Sequence, residues 1–499
     1  ALIQLAVFSV TQQGMARMGE LGTDLMGTAG DQLTFHKTQA VFGNQSFVIG
    51  LAGLGAGLGS GLYIDLMYYN MYGTYMVYMG DMRADNLYPL DMGGTGSTVY
   101  QLDFSPTQTN YFGFWQNYYN IIMKANTFIA NINTLETIST TEEDLKKDLT
   151  GQAYAIRSLC YFDLARLYGY PYLKDNGASL GAIILTSVVS PSEARLPRNT
   201  VAETYAQAES DVQTALGLLS KSKNDGHFNY WAAKMLQGKI ALYKGDYKTA
   251  YEACSEVVEE SPYRLVPNEE YLNYWSKVCD DESVMEFLVT ADGDIDSDGG
   301  FYTIYHNLWF EASNAGKSVI PTKKWRELFK DTPNDVRAQM IKYNDPETGI
   351  IKDRGFYWLK KFIGNEGGTT FRQNNPRLFR ITDAYLMAAE AALELGGHQD
   401  IADDYLNAVR KRADLTAEDV TATLDLIATE RHKEFIGEGH RFFDVMRKGG
   451  SIVRDQSIDE NDFAGSPREV ITWDDHRVVL PISDTERSIH PELQQNPGY

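Results

Sequence analysis

Two Ala-rich helical hairpins constrain the fold of this chain more than any other feature of its sequence. The first, "FNYWAAKMLQGKIALYKGDYKTAYEACSEVVEESP", predicts helices over residues 229–244 and 247–260, joined by the turn "KGDY". The second, residues 381–412, again has an Ala-rich helix, a Gly turn and another helix. Small residues let paired helices approach closely, and this layout is typical of tetratricopeptide repeats. We therefore expect a mostly α-helical protein on a tetratricopeptide-like scaffold.

The two hairpins lie more than a hundred residues apart, so the chain is not a simple tandem solenoid. Apolar residues at helical spacing also cover four earlier stretches, residues 62–81, 111–135, 142–169 and 201–219. Thr200 and Glu203 form the pattern of a capping box at the start of the last of these. We expect about four helix pairs within 111–262 and 381–447.

Non-repeat sequence lies between and after the helical units of what we interpret as one single domain, residues 1–499. Residues 263–375 are rich in Gly, Asn and Asp, with short strand-like runs such as "SVMEFLV" and "GFYWLKKFI". Residues 449–499 form an irregular tail. These parts predict a loop-rich insert and a few short strands added to the helical scaffold.

Charge and cysteine content exclude several classes of protein. The net charge of -22 repels phosphate backbones, which argues against nucleic-acid binding. Three cysteines without a close pair exclude a zinc knuckle and a disulfide scaffold. Cys160 and Cys254 lie within helical patterns, so we expect both to be small buried hydrophobic residues.

The uncharged stretch "FVIGLAGLGAGLGSGLYI", residues 47–64, has a length that is marginal for a membrane span. Its many glycines disfavour a helix. A Gly-rich loop is the interpretation that the composition favours.

The segment "RHKEFIGEGHRFFDVMRKGG" crowds histidines and carboxylates together, as a metal or catalytic site would. The zinc-protease pattern HEXXH is absent, and His440 with Asp444 forms only an isolated i, i+4 pair. Glutamates recur every four residues among arginines: Glu430, Glu434 and Glu438 beside Arg431, Arg441 and Arg447. This pattern predicts forked carboxylate–guanidinium pairs. We interpret the segment as a structural brace between the last repeat unit and the tail, without a catalytic residue.

Six stretches resemble, in order, signature segments of the SusD-like (SusD/RagB) outer-membrane nutrient-binding proteins. The tail "LPISDTERSIHPELQQNPGY" is similar to their carboxyl-terminal signature, and "ATERHKEFIGEGHRFFDVMRKG" to their hallmark segment. Four earlier stretches resemble preceding segments of the family: "MGDMRADN", "FWQNYYNIIMKANTFIANI", "GQAYAIRSLCYFDLARLYG" and "RITDAYLMAAEAAL". Together these matches cover most of residues 80–499.

The resemblance implies an α-helical fold with four tetratricopeptide units and a loop-rich ligand-binding part. It also implies a lipoprotein, held by a lipid anchor on the extracellular face of the outer membrane. There the protein would cap a TonB-dependent (SusC-like) transporter barrel and pass it oligosaccharides or other nutrients.

Sugar rings stack on aromatic side chains, while amides and carboxylates bind their hydroxyl groups, so aromatic-rich loops are candidate ligand sites. Two loops fit, and their candidate ligand-binding residues are Tyr88, Asp91 and Tyr100, and Tyr302, Tyr305, Asn307 and Trp309. We expect Tyr88 and Tyr302 to be exposed. Tyr305 and Trp309 are four residues apart, so a helical core stripe is an equal alternative for Trp309.

The run "DGDIDSDGG" is a candidate calcium site, because Asp294, Asp296 and Asp298 match the start of an EF-hand loop. Position twelve is Tyr305, where that loop needs a bidentate Glu, so a looser carboxylate cage is the form to expect. A solvated acidic loop is the alternative.

Two functions from different classes follow from these patterns. The first is a nutrient-binding protein of the cell surface that works with a transporter and needs no cofactor, calcium aside. The second is a tetratricopeptide scaffold for protein or peptide partners. A glycoside hydrolase is a distant third, since paired carboxylates are not identifiable by a motif.

Overall fold

The fold is mostly helical with a few short strands, as the sequence predicts. A computed structural model describes residues 59–68, 70–89, 95–107, 113–137, 139–223, 226–289, 319–343, 357–359, 361–368, 373–454 and 469–499. The stretch 47–64 and the segments 90–94 and 290–318, which hold many of the predicted site residues, therefore lie wholly or largely outside the description.

The α-helices in chain order are Ile64–Met67 (α1), Tyr75–Asp81 (α2), Thr95–Gln101 (α3), Phe114–Asn133 (α4), Thr140–Tyr168 (α5), Tyr172–Asp175 (α6), Val201–Leu216 (α7), Tyr230–Lys244 (α8), Tyr247–Glu260 (α9), Tyr271–Tyr274 (α10), Lys323–Glu327 (α11), Ile381–Leu395 (α12), Gln399–Ala413 (α13), Leu424–Glu434 (α14), Arg441–Met446 (α15) and Asp484–Ile489 (α16). The strands are Leu87–Pro89 (β1), Ser283–Glu286 (β2), Val319–Pro321 (β3), Ile341–Tyr343 (β4), Tyr357–Leu359 (β5), Arg377–Arg380 (β6), Ile452–Arg454 (β7) and Glu469–Ile471 (β8). A π-helical turn covers Gly59–Tyr63, and 3₁₀ turns cover Asn268–Glu270, Val336–Met340 and His476–Val478.

The repeat helices pack side by side as one array. Helix α4 packs on α5, α5 on α7, α7 on α8 and α8 on α9. Helix α9 then packs on α12, which packs on α13. The two hairpins that the sequence separates by more than a hundred residues are therefore neighbours in space, and the insert leaves the array and returns to it.

Local signals set the helix ends of the first hairpin. The Asn229 side chain accepts a hydrogen bond from the Ala232 amide and begins α8, and Gly245, with φ of 83°, ends it in the left-handed conformation. Asp246 then caps α9 by accepting from the Thr249 amide. The capping box predicted for Thr200 and Glu203 is confirmed at the start of α7.

The helical spacing over residues 62–81 corresponds to two short helices rather than to one. Helix α1 ends at Met67 and α2 begins at Tyr75. Between them a turn brings the Gly73 backbone so close to the Met67 carbonyl oxygen that a Cβ at Gly73 would lie 2.4 Å from it. Apolar periodicity does not register this turn, because it contains the buried Met71.

The strand-like runs of the insert form antiparallel pairs. Strand β2, within "SVMEFLV", pairs with β6, and β5, within "GFYWLKKFI", pairs with β4. Strand β1 pairs with β3, and β7 with β8. Each sheet of the described residues has two strands, so the strands form no layer of their own. The β1–β3 and β2–β6 pairs join distant parts of the chain, whereas β4–β5 and β7–β8 are local.

A contiguous hydrophobic core runs through the helix array and includes Cys160 and Cys254, both fully buried as predicted. Within the described ranges, no helix combines the length and apolar character that crossing a membrane requires.

Close packing of α8 on α9 gives a test of the hairpin. A Cβ at Gly238 would lie 2.4 Å from the Cys254 Sγ. Gly238→Ala should therefore destabilise the protein by about 1–3 kcal/mol through overpacking. Urea unfolding followed by circular dichroism measures the change.

Two further variants isolate the contact. Gly238→Ala combined with Cys254→Ala should recover most of the lost stability, because the clashing sulfur is gone. Gly217→Ala should be tolerated, since its nearest neighbouring atom, the Thr214 carbonyl oxygen, is 3.5 Å from the new Cβ. Equal stability of wild type and Gly238→Ala would contradict the close approach of α8 and α9.

Candidate functional site

Buried charged side chains from distant parts of the chain meet beside the hallmark segment. We call this group the ionic core; its members are Glu282, Arg337, Lys361, Arg380, Arg412, Glu434 and Glu438. The side chain of each is at most 4% exposed. Charges so fully removed from water must be paired, so the geometry of this group fixes the elements that carry it.

Arg380 lies at the centre of the ionic core because β6 pairs with β2 and brings Arg380 opposite Ser283. Its Nη1 donates to Glu434 Oε1 at 2.9 Å and to Glu282 Oε1 at 2.5 Å. Its Nε donates to Glu438 Oε2 at 2.7 Å. One guanidinium thus joins the insert to both ends of the turn after α14.

Glu434, the last residue of α14, accepts from two more arginines. Arg337 Nη1 lies 3.0 Å from Glu434 Oε2, and Arg412 Nη2 lies 3.1 Å from Oε1. Burial alone would raise the pKa of Glu434, but the arginines, with Arg412 and Arg380 foremost, hold that pKa well below its usual range. Glu434 is therefore a carboxylate, and its oxygens are committed to structural pairs.

The interpretation of this segment as a structural brace is supported by the geometry, but the predicted extent of the brace was too narrow. Glu434 and Glu438 pair with Arg337, Arg380, Arg412 and Lys361 rather than with the arginines nearest in sequence. The nearby Arg431, Arg441 and Arg447 pair with aspartates and glutamates of other elements. Sequence proximity was a poor guide because i+1 neighbours on a helix point to different faces.

Arginines of the hallmark segment hold helix α12. Arg431 Nη1 donates to Asp383 Oδ1 at 2.7 Å. Arg447 makes a forked pair with Glu390, at 2.7 and 2.6 Å. Burial raises the pKa of Glu390, but Arg447 outweighs it and holds the pKa at about 2. The segment is thereby fixed to the last repeat unit, as predicted.

The motif "MGDMRADN" lies directly against "GEGHR". Asp81 Oδ2 accepts from the Gly439 amide at 3.0 Å, and Asp85 Oδ1 accepts from Arg441 Nε at 2.8 Å. A Cβ at Gly80 would lie 1.8 Å from the Gly439 carbonyl oxygen, so the two backbones touch at glycine.

The pKa values of the two aspartates in this contact, Asp81 and Asp85, shift in opposite directions. Burial raises the pKa of Asp81 to about 6, with hydrogen bonds from Asn86 and Gly439 opposing the rise. Burial also acts on Asp85, but the neighbouring cations Arg441 and Lys324 hold its pKa well below the usual range. Asp85 is thus the stable anion that fixes Arg441 and, at 2.7 Å, Lys324.

His432 and His440 are both buried. Burial lowers the pKa of His432 to about 3 and that of His440 well below its usual range, so both rings are neutral at pH 7. The His440 ring stacks on Phe435 with centroids 4.4 Å apart. Among the described residues, no group of His, Cys, Asp or Glu has the arrangement of a metal site.

The strand pair β1–β3 lies next to the contact between "MGDMRADN" and "GEGHR". The two segments that the sequence nominated as ligand-binding are joined to this strand pair. Pro89 at the end of β1 pairs with Val319 at the start of β3. The segment with Asp91 therefore leaves the described chain beside the point where the segment with residues 301–310 returns to it. Thr322 donates to the Asp85 and Asn86 carbonyl oxygens, at 2.8 and 3.0 Å, which ties β3 to the aspartate motif.

Tyr88 and Tyr100 are buried, 4% and 6% exposed, so the prediction that Tyr88 is exposed is wrong. Their rings pack edge to face with centroids 5.3 Å apart. The Arg454 guanidinium lies over the Tyr100 ring at 4.1 Å. Strand residues alternate between two faces, but both faces of this short strand are covered, and the sequence alone does not show it.

Arg454, which packs on Tyr100, is a residue that the sequence interpretation missed. It lies at the end of β7 and donates to the carbonyl oxygens of Ala84 at 3.1 Å and Arg83 at 2.6 Å. It also contacts the Tyr100 carbonyl oxygen and, at 3.2 Å, Glu469. A third segment, residues 455–468, therefore begins beside β1, close to the other two segments. Its Gly, Pro and Asp content was the sequence signal that could have nominated it.

We call β1, β3 and β7 with Tyr88, Tyr100 and Arg454 the loop base. The other nominated ligand-binding residues, Asp91, Tyr302, Tyr305, Asn307 and Trp309, and the candidate calcium ligands Asp294, Asp296 and Asp298 lie outside the described residues. Their roles stay predictions.

Comparisons with known proteins agree with this architecture. A profile described as "SusD family" matches residues 269–499, and one described as "Starch-binding associating with outer membrane" matches residues 76–242. A solved SusD superfamily protein from Bacteroides thetaiotaomicron is 31% identical, covers 90% of this chain and 99% of its own, and superposes with a TM-score of 0.81. The chain belongs to the SusD family.

Two further SusD-family relatives extend the comparison. The SusD-like protein P25 of Formosa agariphila is 25% identical, over 77% of this chain and 79% of the relative. A solved laminarin-binding SusD-like protein is 22% identical and superposes with a TM-score of 0.67, over 91% of this chain and 99% of that one, which shows a common fold. The resemblance carried by the six sequence stretches is therefore confirmed.

The ionic core predicts a large stability effect at Glu438. Glu438 Oε1 accepts from Lys361 Nζ at 2.6 Å, and Glu438→Gln would leave Lys361 and Arg380 short of a buried countercharge. We expect a loss of about 3–5 kcal/mol in the free energy of unfolding, measured in urea. Arg441→Ala should cost less, because its side chain is 19% exposed.

Glu143→Gln is the matched control, since Glu143 forms a surface pair with Lys147 in which both side chains are about half exposed. It should leave the unfolding curve unchanged. A Glu438→Gln variant as stable as this control would show that the ionic core does not hold the fold.

Glu390 predicts a pH dependence. Its folded pKa lies below its unfolded value, so its pairing stabilises the protein fully above about pH 4.5 and is lost as the pH falls towards 2. The shift corresponds to about 3 kcal/mol. The stability difference between wild type and Glu390→Gln should therefore be large at pH 7 and shrink at pH 3.

The control is Glu252→Gln, because Glu252 is an exposed residue on α9. If the stability difference between wild type and Glu390→Gln is the same at pH 7 and pH 3, the pairing of Glu390 is contradicted.

Proposed function

We propose that the protein binds oligosaccharides at the cell surface and delivers them to a transporter. Membership of the SusD family carries this proposal. The profile matching residues 76–242 describes starch binding in association with the outer membrane, and one relative of the same fold binds laminarin. A tetratricopeptide scaffold for protein partners has no comparable support.

The loop base supports a binding role for the segments that leave it. Pro89 and Val319 are paired, and Arg454 contacts the backbone just before β1, so segments 90–94, 290–318 and 455–468 all have an end at one place. Buried aromatic and guanidinium contacts hold the parts of this base together. A rigid base lowers the entropy cost of presenting side chains to a ligand.

The side chains proposed to contact the sugar come from the sequence of these segments. Tyr302, Tyr305 and Trp309 supply stacking faces, and Asp91 and Asn307 supply hydrogen-bonding groups. Tyr88 and Tyr100 belong to the support beneath them. In the same segment, Asp294, Asp296 and Asp298 are proposed to bind calcium.

Binding without turnover is part of the proposal. The residues that looked catalytic, His432, Glu434 and His440, are buried, and Glu434 is held by arginines. Groups without access to solvent are not placed to protonate a glycosidic oxygen or activate water.

The cellular setting is also proposed rather than derived from contacts. The family description supports association with the outer membrane. A lipid anchor and a TonB-dependent, SusC-like barrel as partner are the arrangement that we propose for this chain. Soluble oligosaccharide captured outside would then pass from the loop base into the barrel.

Isothermal titration calorimetry with a panel of oligosaccharides tests the proposal. Tyr302→Ala and Trp309→Ala should each weaken binding about five-fold, since stacking on one ring contributes about 1 kcal/mol. Longer oligomers should bind more tightly because they engage several rings. For a neutral glycan the affinity should change little with salt.

Tyr251→Ala, on repeat helix α9, is the control and should bind like wild type. Tyr88→Ala should lower thermal stability, because the ring is buried. After prolonged incubation the oligosaccharide should be recovered intact. Unchanged affinity in Tyr302→Ala, Tyr305→Ala and Trp309→Ala would move the site elsewhere, and new reducing ends made by the pure protein would show an enzyme.

A further inference from the structure

Asp81, the last residue of α2, is a fully buried carboxyl group that forms no ion pair within the described part of the chain. Its two oxygens accept only from neutral donors, Asn86 Nδ2 and the Gly439 amide, each at 3.0 Å. The buried carboxylates of Glu434 and Glu390, in contrast, are both held by arginines. An isolated charge is costly away from water, so a buried carboxyl group without a cation tends to take up a proton.

The charges of the insert and of the turn "GEGHR" do not neutralise Asp81. Lys361, whose charge favours ionisation of Asp81, donates to Glu438 Oε1 at 2.6 Å and is thereby paired. Glu438 is a second carboxylate near enough to disfavour a charge on Asp81. An ionised Asp81 therefore adds negative charge to a place where the nearest cation already has its partner.

The helices packed against α2 supply no free cation among the described residues either. On α15, Arg441 pairs with Asp85, and Asp444 pairs with Arg431. Helix α3 has no charged residue. Arg83, which follows α2, donates to the carbonyl oxygens of Met79 and Val478.

Close backbone packing keeps water away from Asp81. A Cβ at Gly80 would lie 1.8 Å from the Gly439 carbonyl oxygen, and a Cβ at Gly439 would lie 3.0 Å from Val77 Cα. Because the two backbones touch, the carboxyl group is hydrated only when α2 and the turn "GEGHR" separate. The ionisation of Asp81 is thus linked to the opening of this contact, which we call the α2 junction.

The hydrogen-bond partners of Asp81 also fit its protonated form. The Gly439 amide then donates to the carbonyl oxygen Oδ2, while the hydroxyl at Oδ1 donates to Asn86 Oδ1 after the amide of Asn86 turns over. In its present orientation, Asn86 Oδ1 is buried and has no donor within the described ranges. The junction can therefore close around a neutral carboxyl group without losing either hydrogen bond.

We propose that the α2 junction is controlled by a proton on Asp81: it is held closed in mildly acidic solution and opens more readily near neutral pH. Burial raises the pKa of Asp81 to about 6, which sets the pH of the change. Since this folded pKa lies above that of the exposed group, the stabilisation is complete below about pH 4 and is lost as the pH rises through 6. Asn86 directly precedes β1, so the opening also loosens the first strand of the loop base. The proposal does not depend on the sugar site.

Hydrogen exchange followed by mass spectrometry tests the junction in the wild-type protein. After correction for the intrinsic pH dependence of exchange, the protection of the amides around Gly439 should fall about ten-fold from pH 5 to pH 7. Equal protection at the two pH values would overturn the proposal.

Asp81→Asn keeps the shape and the hydrogen bonds of the protonated carboxyl group but does not titrate. Its protection around Gly439 should be the same at pH 5 and pH 7. Asp144→Asn is the matched control, because Asp144 is exposed on α5 and the change in net charge is the same. This control should keep the ten-fold change. If the change persists in Asp81→Asn, another group is responsible and the proposal is wrong.

Thermal unfolding measures the same linkage independently. The Tm of Asp81→Asn minus that of wild type should be about 2 °C larger at pH 7 than at pH 4. An equal difference at both pH values would contradict proton binding by Asp81.

Asn86→Asp decides the matter if Asp81→Asn does not fold. It places a second carboxyl group beside Asp81, and two adjacent carboxyl groups hold a shared proton to higher pH. The pH at which protection around Gly439 is lost should therefore rise above that of wild type. An unchanged pH would overturn the proposal.

Discussion

A single buried carboxylate, Glu434, depends on three arginines that come from separate parts of the chain. Arg337 follows α11, Arg380 ends β6 and Arg412 lies in α13. Removing these charges from water costs free energy that only complete pairing offsets. The insert, the last repeat hairpin and the hallmark segment must therefore assemble together, because an incomplete set leaves a buried charge unpaired.

That requirement connects the repeat array to the loop base. Gly439 in the turn after α14 and Arg441 at the start of α15 hold Asp81 and Asp85. Asp85 is followed at once by β1, whose end starts the first nominated loop. A contact chain of charged and backbone groups thus runs from the middle of the helical scaffold to the strands that carry the loops. The same hallmark segment that looks catalytic in the sequence serves to fix the position of these strands.

The sequence predicted most of the helical architecture because its signals are local. Asn229, Gly245 and Asp246 set the ends of the first hairpin, and Thr200 with Glu203 starts α7, all through contacts within a few residues. Contacts between residues far apart in the chain could not be predicted from the sequence. Nothing in the spacing around Glu434 indicates Arg337 or Arg380, and nothing near Tyr88 in the sequence indicates its packing on Tyr100, which lies on another element. The motifs showed where the family resemblance lay without showing that "MGDMRADN" touches "GEGHR".

The adjacency of α9 and α12 has a consequence for how the chain folds. Their contact closes an excursion of roughly 120 residues, from Glu260 to Ile381, and closing so long a stretch costs entropy before the helices gain their packing. The α4–α5 and α8–α9 hairpins can form early from local contacts. The complete array then has to wait for the insert to be placed, so the docking of α12 is the step expected to limit the folding rate.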